Sequence, residues 1–370
     1  HSIRALMARH RALDWAALDE VVLGCANQAG EDNRNVARMA ALLAGLHETV
    51  PALTVNRLCA SGMDAVIVAA RAIACGEADL IIAGGVESMS RAPLVMPKPQ
   101  AAYSRRAEIH DTTIGWRFIN PALQAQYGSE SMPETAENVA RAHNVSRAQQ
   151  DEFALQSQQR AARAQKSGRL AQEITPLKAL DASGKAVEIS SDEHPRETTM
   201  EKLSALPAPF RAGGTVTAGN ASGINDGAAS LLVASESALT RFQLTPLAEY
   251  IGSASVGVAP GLMGMGPVPA THRLCARLGL APQDFDLVEL NEAFAAQALA
   301  VLQQLELDPV APHINPNGGA IALGHPLGMT GARLIGTAAH DLGQGNASLA
   351  LCTLCVGVGQ GVAVALKVVD

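Results

Sequence analysis

The chain predicts an α/β fold in which one strand–helix unit occurs twice, with a different kind of segment between the copies. Three observations carry this. Short apolar runs bounded by glycine alternate with stretches of helical periodicity, glycine-rich turns recur at matched places, and residues 92–215 break the pattern with prolines and charges. Of the 370 residues 48% are apolar, only 3% are aromatic and 33 are glycine, which suits helices packed closely on sheets whose strands are buried on both faces. The length exceeds one ordinary core and fits two or three structural units.

In chain order, Glu20-Val21-Val22-Leu23 is a short buried strand closed by Gly24. Residues 63–75 place Met63, Val66, Ile67, Ala70 and Ile73 at helical spacing, with Gly76 where the helix should end. Residues 79–83 read as another strand, with a glycine turn expected at Gly84-Gly85. Residues 18–24 resemble residues 285–291; Gly24 lies 35 residues before Cys59, and Asn291 lies 34 before His325. Each target sits in a glycine-containing turn ahead of a helix. Each helix is followed by a strand and a further glycine turn, the second at Gly357-Val358-Gly359. Matched order and spacing point to two copies of one unit.

Residues 92–215 read as an inserted subdomain that covers a site and supplies ligand contacts. Within them, 146–168 has an amphipathic helical pattern opened by Ser146 as N-cap. The expected organisation is 1–91 with 216–243 as one α/β domain, 92–215 as the insertion and 244–370 as the second α/β domain. The chain opens at His1 as though partway into a domain, so a first strand is expected ahead of it.

Lys and Arg total 28 against 35 Asp and Glu, a net charge of −7 without a basic stripe, which argues against nucleic-acid binding. No apolar run approaches the ~18 residues of a membrane span, so no membrane insertion is expected. The six cysteines are too few for a disulfide scaffold and no secretory leader is visible, so a reducing, cytoplasmic setting is expected.

A few places could do chemistry. Cys59 follows the strand-like residues 53–57 and precedes Ala60-Ser61-Gly62 and a helix. Unpaired N–H groups and the positive dipole end favour thiolate there, so its pKa is expected to fall below the usual ~8.5 and make it a nucleophile near neutral pH; the other reading is a small core residue. His325 lies in the glycine-rich 315–331 and is kept out of helix by Pro326. It could activate a thiol and donate to an oxyanion, or merely bond within its loop. Cys352 and Cys355 form a C-x-x-C, but no second pair completes a zinc set, and strand alternation puts the two on opposite faces. Cys355 alone, at a strand end and passing protons, is the better reading, and no metal site is expected. Asn291, ahead of Glu292-Ala293-Phe294, could orient a water or a carbonyl or simply cap a helix. The small-residue turn 217–229 could admit an extended ligand or be dense packing.

Taken in order, these motifs resemble the thiolase family. The matching pieces are Asn56-Arg57-Leu58-Cys59-Ala60-Ser61-Gly62, Ala83-Gly84-Gly85-Val86-Glu87-Ser88-Met89-Ser90, Gly219-Asn220-Ala221-Ser222-Gly223, Asn291-Glu292-Ala293-Phe294, Gly324-His325-Pro326 and Cys355-Val356-Gly357. The family's opening strand, with its Arg-Thr-Pro motif, has no counterpart in the sequence. The resemblance implies two similar α/β domains stacked as αβαβα with an inserted loop domain, and a homo-oligomer, dimer or tetramer. It implies ping-pong acyl transfer in which Cys59, activated by His325, attacks a 3-oxoacyl-CoA. Cys355 then protonates the departing acetyl-CoA enolate and deprotonates the incoming CoA. Two oxyanion pockets are implied, one of His325 with a water held by Asn291, the other of the backbone N–H groups of Cys59 and Gly357. For CoA, a co-substrate with no permanently bound cofactor beside it, the resemblance points to Ser222, Ala218 and Ala221 along the pantetheine. It adds Met132, Met263 and Phe294 lining the tunnel and Arg196 at the adenine end.

Ser131-Met132-Pro133-Glu134 stands where biosynthetic acetoacetyl-CoA thiolases carry His-Met-Gly. Residues 24–33, 111–121, 126–128 and 131–138 look like the family members that act on 3-oxoadipyl-CoA in aromatic-compound degradation. The expectation is cleavage of 3-oxoadipyl-CoA with CoA to succinyl-CoA and acetyl-CoA, with an acetoacetyl-CoA or broad-range 3-oxoacyl-CoA thiolase as the alternative. A substrate ending in a carboxylate needs a local cation, and Arg117 is a candidate against its reading as a structural arginine. A Cys-His-His decarboxylating ketosynthase is disfavoured by Cys355 and Asn291, and a non-catalytic acyl-CoA carrier by the presence of every reactive group.

Overall fold

The structure, a computed structural model, describes residues 1–181 and 183–369. The first half runs α1 (Ser2–Arg9), β1 (Glu20–Gly24), α2 (Val36–Ala44), β2 (Ala52–Val55), α3 (Ser61–Ala74) and β3 (Leu80–Glu87). The intervening segment holds β4 (Leu94–Val95), β5 (His110–Asp111), α4 (Pro121–Tyr127), α5 (Met132–Ala142), α6 (Arg147–Lys166), β6 (Leu177–Leu180), β7 (Ala186–Ile189) and α7 (Met200–Ser204). Then come β8 (Gly227–Ala234), α8 (Glu236–Phe242), β9 (Glu249–Gly257), α9 (Pro267–Leu278), β10 (Leu287–Leu290), α10 (Ala295–Gln304), α11 (Ala320–Leu323), α12 (Leu327–Gly343), β11 (Leu349–Val356) and β12 (Gln360–Lys367).

Two four-stranded sheets result, ordered β2-β1-β3-β8 and β10-β11-β12-β9. β1 is parallel to β2 and β3, and β10 to β11, while β8, β12 and β9 are antiparallel to the neighbours they extend from. The short apolar runs are too brief for helices and buried on both faces, as parallel strands require. β1 and β10 hold equivalent places, each beside the strand that follows a long helix, so the expected repeat is present in the topology. The second copy of β2 has shrunk to a parallel bridge between Val288 and Ile314.

Gly84-Gly85 lie inside β3 and make no turn. A Cβ on Gly84 would stand 2.1 Å from the Ala229 carbonyl oxygen, and one on Gly85 2.0 Å from that of Gly328. Gly84 marks close approach to the neighbouring strand β8 and Gly85 close approach to α12 in the next layer, a signal that chain reversal also produces in sequence. The expected turn after β11 is real, with Val358 and Gly359 at φ 63° and 84°.

α3 and α12 lie between the sheets. Their Met63, Val66, Ile67, Leu334 and Ile335 meet Val22, Ile81 and Ala83 from one sheet and Leu287, Cys352, Leu354 and Val364 from the other. α1, α2 and α8 cover the outer face of the first sheet around Val21, Leu23, Leu80 and Ile82. α6, α9 and α10 cover that of the second around Val288, Leu290, Leu351 and Ala363. The layers are therefore αβαβα, as the resemblance implied. No helix among the described residues is long and apolar enough to cross a membrane.

α6 starts where expected, closed by a capping box of Ser146 and Gln149. Its buried face, however, includes Gln150, Asp151, Ser157 and Arg160. Arg160 donates to the carbonyls of Val310, Ala311 and Ile314, Ser157 to Glu292 at 2.6 Å, and Asp151 accepts from Asn220 at 3.0 Å. The intervening segment is fastened to the second half partly by buried polar bonds, which an apolar periodicity cannot reveal.

Gly85→Ala is expected to destabilise the protein by about 3 kcal/mol or more, because the added methyl meets backbone that cannot yield. Gly252→Ala, whose methyl meets only Leu274 and Leu278 side-chain ends at 3.3 Å, should cost under about 1 kcal/mol. Thermal unfolding of both variants measures the contrast.

Candidate active site

The reactive side chains gather at the carboxyl ends of the central strands, the usual place for a site in an open α/β sheet. Cys59 lies in a single 3-10 turn, Leu58–Ala60, that runs into α3. The turn is pinned by Asn56 Oδ1, which accepts the Leu58 N–H at 2.8 Å, and by Ser61 Oγ, which accepts the Arg57 N–H at 2.9 Å and donates to the Leu58 carbonyl at 2.6 Å. α12 packs against this turn. A Cβ on Gly62 would come 2.7 Å from the Gly328 carbonyl oxygen, and one on Gly331 2.4 Å from the Met63 nitrogen. The amino ends of α3 and α12 thus abut, which draws His325, just ahead of α12, to the turn that carries Cys59.

Cys355 ends β11, 1% exposed, close enough for its charge state to couple to that of Cys59. The N–H groups of Gly357 and of Cys59 itself lie near enough to the Cys59 sulfur to favour its charged form. Cys352 lies on the other face of β11, in the central core, so the two sulfurs of the C-x-x-C point apart.

Cys59 keeps partial solvent access, yet burial pushes its thiol up to about 11; the two N–H groups moderate the rise and the Glu87 carboxylate adds to it. This corrects the expectation of a thiolate near neutral pH: loss of solvation outweighs the helix end. His325 moves the opposite way. It is 5% exposed, and burial, aided by the Arg333 cation, pushes its imidazole down to about 4. The resting pair is a neutral thiol and a neutral imidazole.

The tautomer of that imidazole follows from one hydroxyl. His325 Nδ1 stands 2.8 Å from Thr330 Oγ1, which stands 2.8 Å from the Pro326 carbonyl oxygen. Two oxygens so close need a proton between them, and only the hydroxyl has one. Thr330 therefore donates to Pro326 and accepts from Nδ1–H, leaving Nε2 as the lone pair. Asn291 Nδ2 donates to Nε2 at 3.4 Å. Asn291 does not cap a helix, since α10 begins at Ala295 with Phe294 as its N-cap.

Met132, Met263, Phe294 and Ala221 join Cys355 in one apolar cluster. The loop 217–226 is held there by a bridge between Ala221 and Phe294 and by the Ser222 N–H, which donates to the Ala293 carbonyl at 3.0 Å. Its supposed continuation, residues 227–229, is the start of β8. Ala218 is exposed on that loop. Arg196 is exposed, its N–H is bonded to Gln158, and among the described residues no hydrogen bond ties it to the cluster.

Two residues escaped the sequence reading of the site. One is Thr330, a hydroxyl in the first turn of the helix after His325. The other is Glu87, 2% exposed at the end of an apolar strand, whose carboxylate accepts the N–H groups of Ala26, Asn27 and Gly328 at 2.9, 3.0 and 2.7 Å. Cys25, Asp32 and Glu87 offer possible metal-ligand atoms within 4.8 Å of one another. The Glu87 oxygens are already engaged by those N–H groups, and burial drives the Cys25 thiol far up, away from the thiolate a metal would take.

The family profile for the thiolase N-terminal domain matches residues 1–237, and that for the thiolase C-terminal domain matches residues 244–368. The chain belongs to the thiolase family and is an acyltransferase. It is 61% identical over 366 residues to the 3-oxoadipyl-CoA/3-oxo-5,6-dehydrosuberyl-CoA thiolase of Escherichia coli (strain K12), covering 99% of this chain and 91% of that protein. It is 59% identical, with the same coverage, to the beta-ketoadipyl-CoA thiolase of Pseudomonas putida. Among solved structures, Bacillus anthracis acetyl-CoA acetyltransferase superposes with a TM-score of 0.91 at 38% identity, covering 100% of this chain and 91% of that one. Human mitochondrial 3-ketoacyl-CoA thiolase in complex with CoA gives 0.90 at 38% identity, covering 100% and 90%.

Two outcomes are expected. Thr330→Val, which removes the acceptor for Nδ1–H, should lower kcat roughly 10- to 100-fold, while Thr330→Ser stays near wild type; steady-state rates on variants with native circular dichroism decide this. Between the two pKa values of about 4 and about 11, neither Cys59 nor His325 changes charge. The thiolate ultraviolet absorbance lost in Cys59→Ser should therefore appear only as pH rises toward the upper value. A Cys59 thiolate already formed at neutral pH contradicts the neutral pair.

Proposed function

We propose that the protein is a degradative thiolase that cleaves 3-oxoadipyl-CoA with CoA to succinyl-CoA and acetyl-CoA. The reading is carried by the convergence of Cys59, His325 with Asn291, and Cys355 with Gly357, and is supported by the relatives whose names state that substrate. In this mechanism the Cys59 sulfur attacks the 3-oxo carbon while its proton passes to His325 Nε2, in step with carbon–sulfur bond formation because the free thiol resists ionisation. The oxyanion is held by the N–H groups of Cys59 and Gly357, each donor worth about 3–4 kcal/mol of barrier. Collapse breaks the C2–C3 bond, leaves a succinyl thioester on Cys59 and releases the acetyl-CoA enolate. The enolate is steadied by protonated His325 with the water that Asn291 orients, and takes its proton at C2 from Cys355. The Cys355 thiolate then deprotonates the incoming CoA, whose sulfur attacks the succinyl carbon. Succinyl-CoA leaves, and the expelled Cys59 sulfur recovers its proton from His325.

In the same reading Ser222, Ala218 and Ala221 follow the pantetheine, Met132, Met263 and Phe294 line its tunnel, and Arg196 meets the adenine end. Residues 92–215 are the loop domain, inserted in a first α/β domain of 1–91 with 216–243 and followed by a second of 244–370. A homo-oligomer is part of the proposal, supported by the exposed apolar side chains Leu94, Met96, Tyr103, Ile109 and Phe118 along one stretch of that loop domain. A cytoplasmic setting is supported by six unpaired cysteines.

Steady-state thiolysis tests the substrate. The expected kcat/KM for 3-oxoadipyl-CoA exceeds that for acetoacetyl-CoA by about tenfold or more, and Cys59→Ala is at background with both. The reverse preference would remove the adipyl assignment, and turnover by Cys59→Ala would remove the mechanism.

A further inference from the structure

Two of the stretches that look like 3-oxoadipyl-CoA-cleaving members, 24–33 and 111–121, are far apart in sequence and meet at one side chain. Asn27 Nδ2 donates to the carbonyl and to Oγ1 of Thr112, at 2.9 and 3.2 Å, and its Oδ1 accepts from Arg117 Nη2 at 3.0 Å. Both ends of this contact reach the site. The Asn27 N–H binds Glu87, which also holds Gly328, three residues past His325. On the other side, the indole N–H of Trp116 donates to the Glu130 carbonyl at 3.2 Å, two residues before Met132 of the tunnel cluster. Residues 112–117 therefore bridge the floor beside Cys59 and the tunnel wall at Met132.

Arg117 is half-buried on this bridge and forms no ion pair among the described residues. Three other arginines near the site are ion-paired: Arg57 with Asp64, Arg91 with Glu31 and Arg333 with Glu289. Arg211, beside the start of α5, is bonded to the Glu134 carbonyl and to Asn138. A guanidinium has five N–H donors in a planar fork suited to a carboxylate, and the Asn27 bond uses one.

We propose that Arg117, aimed by Asn27, is the specificity residue that receives the distal carboxylate of the acyl chain. The assignment rests on the 3-oxoadipyl-CoA reading, in which that carboxylate sits two methylenes beyond the thioester carbonyl on Cys59. A protein of net charge −7 offers such an anion no general attraction, so a local cation must do so. The neutral acyl chain of acetoacetyl-CoA makes no such demand.

The test is the ratio of kcat/KM for 3-oxoadipyl-CoA to that for acetoacetyl-CoA in wild type, Arg117→Ala and Arg117→Lys. Arg117→Ala is expected to lower the ratio by about 30-fold or more, and Arg117→Lys to restore part of it. Turnover of acetoacetyl-CoA by the same variant shows that it is folded. A ratio unchanged in Arg117→Ala overturns the Arg117 assignment while leaving the substrate reading intact. A wild type that turns over acetoacetyl-CoA but not 3-oxoadipyl-CoA overturns both.

Discussion

The contact on which the site depends is the seating of the backbone at Gly328 against the first half of the chain. Its carbonyl lies where a side chain on Gly62 or Gly85 would have to stand, and its N–H is held by the buried carboxylate of Glu87. Glu87 at the same time holds Ala26 and Asn27, at the exit of β1. One carboxylate, at the end of β3, thereby ties the exit of β1 and the start of α12 together. It can remain buried because it accepts three N–H groups, one of them from the positive end of α12. Since His325 lies three residues from Gly328, this seat sets where the imidazole stands relative to the Cys59 turn.

The chemistry inherits that close packing. Drawing two helix ends together between two sheets removes solvent from Cys59, Cys355 and His325 at once, and each responds by favouring its neutral form. Thr330, by accepting from Nδ1–H, leaves the Nε2 lone pair facing Asn291 Nδ2. In the proposed reaction the neutral pair of Cys59 and His325 moves a proton during attack, in contrast to a stored ion pair.

The segment between the two strand–helix units contributes in a different way. Among the described residues it adds no strand to either large sheet, and it is fastened by buried polar groups, with Arg160, Ser157 and Asp151 of α6 reaching the second half and the 217–226 loop. Polar fastening of this kind is directional, so it fixes register as well as proximity. Met132, at the start of α5, packs with Cys355, Met263 and Phe294, while residues 112–117 are held separately, by Asn27 and the Glu130 carbonyl.

Much of this was legible in the chain itself. The apolar runs at 20–24, 79–83 and 287–290 have few alternatives to strands, the spacing at 63–75 specifies a helix that Gly76 ends, and the paired distances to Cys59 and His325 mark the repeat. Local patterns of this kind are decided within a few residues, by backbone preference and by which faces must be apolar. The αβαβα stacking and the identity of Cys59, His325, Asn291 and Cys355 as candidates followed from motif and order. Tertiary structure alone decided the rest. Gly84-Gly85 reads as a turn until the β8 and α12 backbones are seen to lie against it, α6 reads as apolar-faced until its polar partners are in place, and Cys59 reads as a thiolate until its solvent is counted. Glu87 and Thr330 had no local signature of the bonds they make. Hydrogen-bond partners and solvation are properties of atoms brought together from distant parts of the chain, and no window of sequence contains them.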